Sequence, residues 1–129
     1  MLRRLLSISL ALAVTGCIGA FDMFARGKSL VGPYTLFKTE TGNFKLGGPG
    51  KPAEDAGGYI DGTVDSLGWS DSRLLVWRGT PTYGGDRAGW MVIDVTSGSV
   101  VGPLSSEARA EDPTLAAIRV RPASIVWKD

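Results

Sequence analysis

Apolar positions fall along the chain in distinct kinds of run, and each kind predicts a different element. Leu5 to Val14 (LLSISLALAV) is a ten-residue, largely apolar stretch behind Arg3 and Arg4. That is the pattern of a secretory leader, and it is too short for a transmembrane helix, which needs roughly 20 apolar residues. Tyr34 to Glu40 (YTLFKTE) and Asn43 to Leu46 are β-rich runs on either side of Thr41-Gly42, which predicts a hairpin. Thr63 to Trp69, Arg73 to Arg78, Gly89 to Val95 and Ser99 to Pro103 follow, and turn-forming residues such as Ser70-Asp71-Ser72 and Thr96-Ser97-Gly98 separate them. Four strands in sequence predict an antiparallel meander. In Leu74-Leu75-Val76-Trp77 and Trp90-Met91-Val92-Ile93 the apolar residues are consecutive, so both faces of these strands are expected to be covered.

One helix is expected. Asp112-Pro113-Thr114 has an N-cap residue followed by a proline at the first helical position, and it leads into LAAIRV with Leu115 and Ile118 on one face. Arg121-Pro122 ends it, and Ala123 to Trp127 reads as a last edge strand or an extended tail. Gly47 to Gly58 (GGPGKPAEDAGG), with five glycines and two prolines, reads as a loop. The expected fold class is mainly β, a β-rich α+β fold: a small antiparallel sheet or meander of about six strands with one short C-terminal helix.

The leader ends in Val14-Thr15-Gly16-Cys17, which resembles the lipobox of bacterial lipoprotein signal peptides: an aliphatic residue, a small or hydroxyl residue, Gly or Ala, then Cys. The resemblance implies that a diacylglyceryl group is joined to the Cys17 thiol and that signal peptidase cuts between Gly16 and Cys17. Ile18, in place of the Asp that retains enteric-type lipoproteins at the inner membrane, implies the outer membrane, facing the periplasm. An odd cysteine in an exported chain also calls for such an explanation. The expected organisation is a signal peptide over 1–16, a lipidated Cys17 with a tether over 17–32, and one β-rich domain over 33–129. Within the tether, Phe21, Met23 and Phe24 are expected to dock on the domain or dip into the membrane interface. Acyl chains on Cys17 make the membrane the first expected partner. Further along, LGWSDSRLLVW and GWMVIDVTSGSVVGPL look like one blade of a β-propeller, and with the leader they resemble short bacterial lipoproteins of unknown function.

Composition narrows the chemistry. The chain has 129 residues, no His, one Cys, and 14 Lys and Arg against 13 Asp and Glu. No clustered basic face is visible, so a nucleic-acid partner is not expected. Removal of the leader with Arg3 and Arg4 turns the formal charge from +1 to −1, which leaves membrane attachment to the acyl chains. Without His, and with Cys17 consumed, nucleophilic triads and structural zinc have no ligands to draw on, and no metal or cofactor is expected. Asp61, Asp65 and Asp71 lack the ligand alternation of a calcium loop. As paired carboxylates, Asp61 and Asp65 would be roughly 13 Å apart on one strand, beyond the separation that glycoside hydrolysis uses. Trp69, Trp77, Trp90 and Trp127 are expected mainly in the core.

The best exposed candidate is the loop Gly79 to Ala88 (GTPTYGGDRA), with Tyr83, Asp86 and Arg87 set between glycines. Tyrosine and arginine are enriched at binding hot spots, and loops on rigid sheets commonly carry recognition. The expected function is therefore a lipid-anchored envelope protein that binds a protein or glycan partner without catalysis. Two alternatives stay open: an envelope hydrolase using carboxylates such as Asp61, Asp71 or Asp86, and a structural lipoprotein of a larger assembly.

Overall fold

A computed structural model gives the fold and describes residues 27–51, 57–81 and 87–129. The leader, Gly16 and Cys17, the aromatic residues of the tether, and Tyr83 and Asp86 lie outside the described residues. The class is mainly β, in two antiparallel sheets with short helices.

The smaller sheet has the order β1-β2-β3, with β1 Gly27–Ser29, β2 Thr35–Lys38 and β3 Phe44–Gly47. The Thr41-Gly42 hairpin forms where the sequence places it: Gly42 takes a positive φ of 86°, and the Thr39 hydroxyl accepts from the Asn43 N–H at 3.1 Å. β1 falls inside the segment read as a tether, yet it pairs Lys28 with Leu36 and joins the sheet. A single 3₁₀ turn, Gly58–Ile60, follows the glycine-rich loop.

The larger sheet has the order β7-β6-β5-β4-β8, with β4 Gly62–Trp69, β5 Arg73–Pro81, β6 Gly89–Asp94, β7 Val100–Leu104 and β8 Arg121–Pro122. Strands β4 to β7 are the expected meander. The turn from β6 to β7 is held by the Asp94 carboxylate, which accepts from the N–H groups of Thr96 (3.0 Å) and Ser97 (2.8 Å), while Gly98 takes a φ of 77°.

Both faces of the larger sheet are covered, as the consecutive apolar runs require. Along β5 and β6, Leu74, Val76, Met91 and Ile93 point into a core shared with Leu36 and Leu46 of the small sheet. Leu75, Trp90 and Val92 point into a second core on the opposite face, closed by Leu115 and Ile118. The covering element on that second face is a helix pair, α1 Ser106–Glu111 and α2 Pro113–Ala116. Asp112 caps α2 as expected, accepting from the N–H groups of Thr114 and Leu115. α1 was not anticipated in the sequence; Ser105 caps it through a 3.0 Å bond from the Ala108 N–H.

Two further expectations change. Among the described residues the strands number eight in two sheets instead of about six in one, since β1 and the two-residue β8 carry no pattern long enough to read. Ala123–Lys128 forms a helix, α3, in place of an edge strand or tail. Its Ile125, Val126 and Trp127 favour strands locally, but helical spacing buries both Ala123 and Val126 and lays Trp127 against Phe44 with ring centroids 6.0 Å apart. Burial overrides the local preference.

Candidate functional site

The β5–β6 loop, from Gly79 to Ala88, is built on an irregular sheet end. Opposite β5, β4 shifts register twice, between Gly62 and Val64 and between Val64 and Ser66. Asp65 is the extra residue of the second shift, so Val64 and Leu67, three apart, both enter the first core. The displaced Asp65 carboxylate lies over Gly79, where a Cβ would meet Oδ2 at 2.0 Å. Next to it, the Thr80 N–H donates to the Thr63 hydroxyl at 3.0 Å.

Beneath this end lies Arg78, only 6% exposed and the one charged side chain buried among the described residues. Its guanidinium donates through Nη1 to the carbonyl of Ile60 at 2.9 Å, and through Nε and Nη2 to the carbonyl of Arg87 at 3.2 and 2.8 Å. The stem reaches these partners across Gly62, where a Cβ would come within 2.6 Å of Arg78 Cγ. One buried cation therefore ties the 3₁₀ turn before β4 to the exit of the candidate loop. Bonds from a charged donor are worth more than neutral ones, and burial raises the penalty for leaving either carbonyl alone. Arg87 itself has its carbonyl fixed and its side chain exposed. The exit of the loop is thus hydrogen-bonded to the sheet at Arg87, the one candidate residue the structure describes.

Sequence reasoning missed Arg78, though a signal was there. Leu74, Val76 and Arg78 alternate along one strand, and the first two are core residues. An arginine on the buried side of an apolar run is a charge that needs internal partners.

The three aspartates considered for calcium or acid–base work are not brought together. Asp61 ends the 3₁₀ turn with a φ of 53° and lies 3.9 Å from Lys51 Nζ; Asp65 is at the bulge; Asp71 is exposed in the β4–β5 turn. Asp61 and Asp71 flank β4 at opposite ends, roughly 26 Å apart for eight strand residues. No group of three or more metal-ligating side chains occurs among the described residues.

The tryptophans divide between the cores. Trp90 is buried, meets Trp77 edge-on with centroids 5.2 Å apart, and carries the Arg109 guanidinium 4.6 Å above its ring. Arg109 also donates to the Ile118 carbonyl at 3.1 Å, so it fastens α1 over the sheet and onto the chain that follows α2. Trp69, Trp77 and Trp127 are half-buried and pack at the margins.

Among the described residues, three groups are shifted from their usual values. Burial pushes the Tyr34 hydroxyl up to about 12, with Tyr59 and the Asp94 carboxylate adding to the effect. Asp94 is lowered, first by the Ser97 N–H and then by the Ser97 hydroxyl. Asp112 is lowered mainly by the Thr114 hydroxyl. All three serve turns, caps and packing between the sheets rather than the loop. Tyr59, the edge-on neighbour of Tyr34 at 5.3 Å, donates to the Gly98 carbonyl at 2.6 Å.

No protein family, no curated protein and no solved structure was found to match the chain.

Proposed function

We propose that this chain is an exported lipoprotein of the bacterial envelope, anchored through acyl chains on Cys17 at the outer membrane and facing the periplasm, whose β domain binds a protein or glycan partner through the β5–β6 loop. The anchor rests on the apolar run ending in Val14-Thr15-Gly16-Cys17. The binding role rests on one observation: buried Arg78 holds the Arg87 carbonyl with two hydrogen bonds, so the loop bearing Tyr83, Asp86 and Arg87 leaves the sheet from a fixed base. Fixing the ends of a recognition loop lowers the ordering entropy that binding must overcome. Tyr83 and Arg87 supply the amphipathic ring and the forked donor that interface centres favour.

Two experiments test the two halves separately. Cys17→Ser should move the protein out of the membrane fraction and abolish incorporation of labelled palmitate; unchanged fractionation and mass would remove the anchor. The full chain should capture a saturable envelope component that the Tyr83→Ala, Arg87→Ala double variant loses. Equal capture by both would remove the loop.

A further inference from the structure

At the other end of β4, away from the loop, Leu67, Gly68 and Trp69 line a cleft of about 330 Å³ together with Arg119 and Arg121. We propose that this cleft binds an organic oxyanion, a carboxylate or phosphate ester carried on a ring-sized body.

Four observations carry the inference. First, Arg119 and Arg121 are drawn to one side of the chain. They sit on either side of Val120, which packs into the second core, and both line the cleft. Second, Gly68 lets the segment that carries them approach the strand closely. A Cβ at 68 would lie 2.1 Å from the Arg119 carbonyl oxygen, so only a residue without a side chain admits the arginine segment there.

Third, one of the two lining arginines already pairs with a carboxylate. Arg121 Nη1 is paired with the Asp129 carboxylate, and both side chains remain open to solvent, at 33% and 51% exposure. Arg119, exposed, has no carboxylate within ion-pair distance among the described residues. One carboxylate paired with one of the two guanidinium groups leaves Arg119 without an acidic partner among the described residues. Guanidinium forks match carboxylate and phosphate oxygens in pairs, so the charge selects that class of group.

Fourth, Trp69 forms the adjoining wall. Half-buried, it packs against the first core and also lines the cleft, which puts an aromatic residue beside the charge. The volume falls at the lower end of the range for small-ligand sites, which is room for one ring and its acidic group. This site does not depend on the β5–β6 loop. Trp69 pairs with Leu74 beside the β4–β5 turn, whereas Gly62 and Pro81 mark the loop end of the same two strands.

The test uses the full chain, labelled with nitrogen-15, in a neutral maltoside detergent. The four indole N–H signals are followed while phenyl phosphate or benzoate is added, with phenol as the uncharged control and Trp69→Phe assigning the relevant signal. The Trp69 signal should shift saturably with at least one of the two anions and not with phenol. Whichever anion binds more tightly identifies the phosphate or the carboxylate as the preferred group. Arg119→Gln should weaken binding about tenfold, and Asp129→Asn, which releases Arg121, should tighten it about threefold. The other three indole signals report whether each variant keeps the fold. The proposal is overturned if neither anion shifts Trp69, if phenol shifts it equally, if Arg119→Gln binds as the unchanged protein does, or if Asp129→Asn weakens binding. Loss of partner capture by the Tyr83, Arg87 variant with the anion titration intact would leave both sites standing as separate ones.

Discussion

The main chain of Arg119 lies against the α-carbon of Gly68 so closely that a methyl group added there would come within 2.1 Å of the Arg119 carbonyl oxygen and 2.9 Å of Ile118 Cγ2. Neither obstacle moves cheaply, because one is backbone and the other belongs to a buried core residue. Gly68→Ala should lower stability by about 2 kcal/mol, measured as a fall in the urea midpoint at unchanged slope. Gly79→Ala should cost less than about 1 kcal/mol, since the obstacle there is the rotatable end of the exposed Asp65 side chain. If the two substitutions rank the other way, the close approach at Gly68 is not what sets its identity.

Arg78 makes a second, larger prediction. Arg78→Met leaves the carbonyls of Ile60 and Arg87 without their donors, and should cost about 2–3 kcal/mol in chemical denaturation. Arg78→Lys keeps the charge but replaces a planar fork with a single ammonium that cannot serve both carbonyls in the same geometry, so it should restore only part of the loss. Limited digestion with a broad-specificity protease should show faster cutting between Gly79 and Ala88 in both variants. Full rescue by lysine would mean that charge alone matters at this site.

Acid should weaken the fold through the two lowered aspartates. Each carboxyl is held below the ordinary value of 3.8 by hydrogen bonds to its charged form, Asp94 from Ser97 first and Asp112 from Thr114 first. For a group lowered in the folded state, the added stability is complete above the unfolded value and is lost as pH falls through the folded one. The urea midpoint should therefore hold from pH 7 to about 5 and decline below about 4. Asp94→Asn should make that decline shallower, and an unchanged decline would assign it to other carboxylates.

Tyr34 acts at the alkaline end with the opposite sign. Its hydroxyl is raised from 10.0 to about 12, so the folded state favours the neutral form. That stability is intact below pH 10 and drains away between 10 and 12. The hydroxyl is buried without a hydrogen-bond partner among the described residues. Tyr34→Phe should thus leave stability at pH 7 unchanged or slightly higher, and should flatten the alkaline loss. A marked loss at pH 7 would mean that the hydroxyl contributes a bond in solution.

The hairpin at Thr41-Gly42, the β4–β7 meander and the Asp112 cap were legible because each is a local pattern: turn residues between β-branched or aromatic runs, or an N-cap before Pro. What could not be read depends on distant partners. The helix at Ala123–Lys128 exists because Phe44 waits for Trp127, 83 positions later in the chain. The bulge at Asp65 leaves no mark in its own strand, because it is the departure of Val64 and Leu67 from period two, visible only against Arg78 and Val76. Of the candidate loop, the length and residue types were legible, while the buried arginine that fixes its exit was not. The cleft at Trp69 was hidden for the same reason. Its arginines lie 50 and 52 positions beyond Trp69 in a stretch that reads only as the end of a helix.

Strand β1 opens the described domain and α3 closes it, and Lys28 Nζ donates to the carbonyl of Asp129 across a sequence separation of 101. The two ends of the fold thus meet at one spot, as on a closed ring. Residues 28 and 129 are therefore neighbours in space. A reporter joined at residue 129 would sit beside strand β1, whereas one inserted between Gly79 and Ala88 would be joined at the opposite end of β4 and β5 from Trp69 and Leu74. The same geometry makes the domain a candidate for re-threading: linking the present ends and opening the Thr41-Gly42 turn should preserve both sheets, because the new cut falls in an exposed turn and the new link spans a gap the fold already closes.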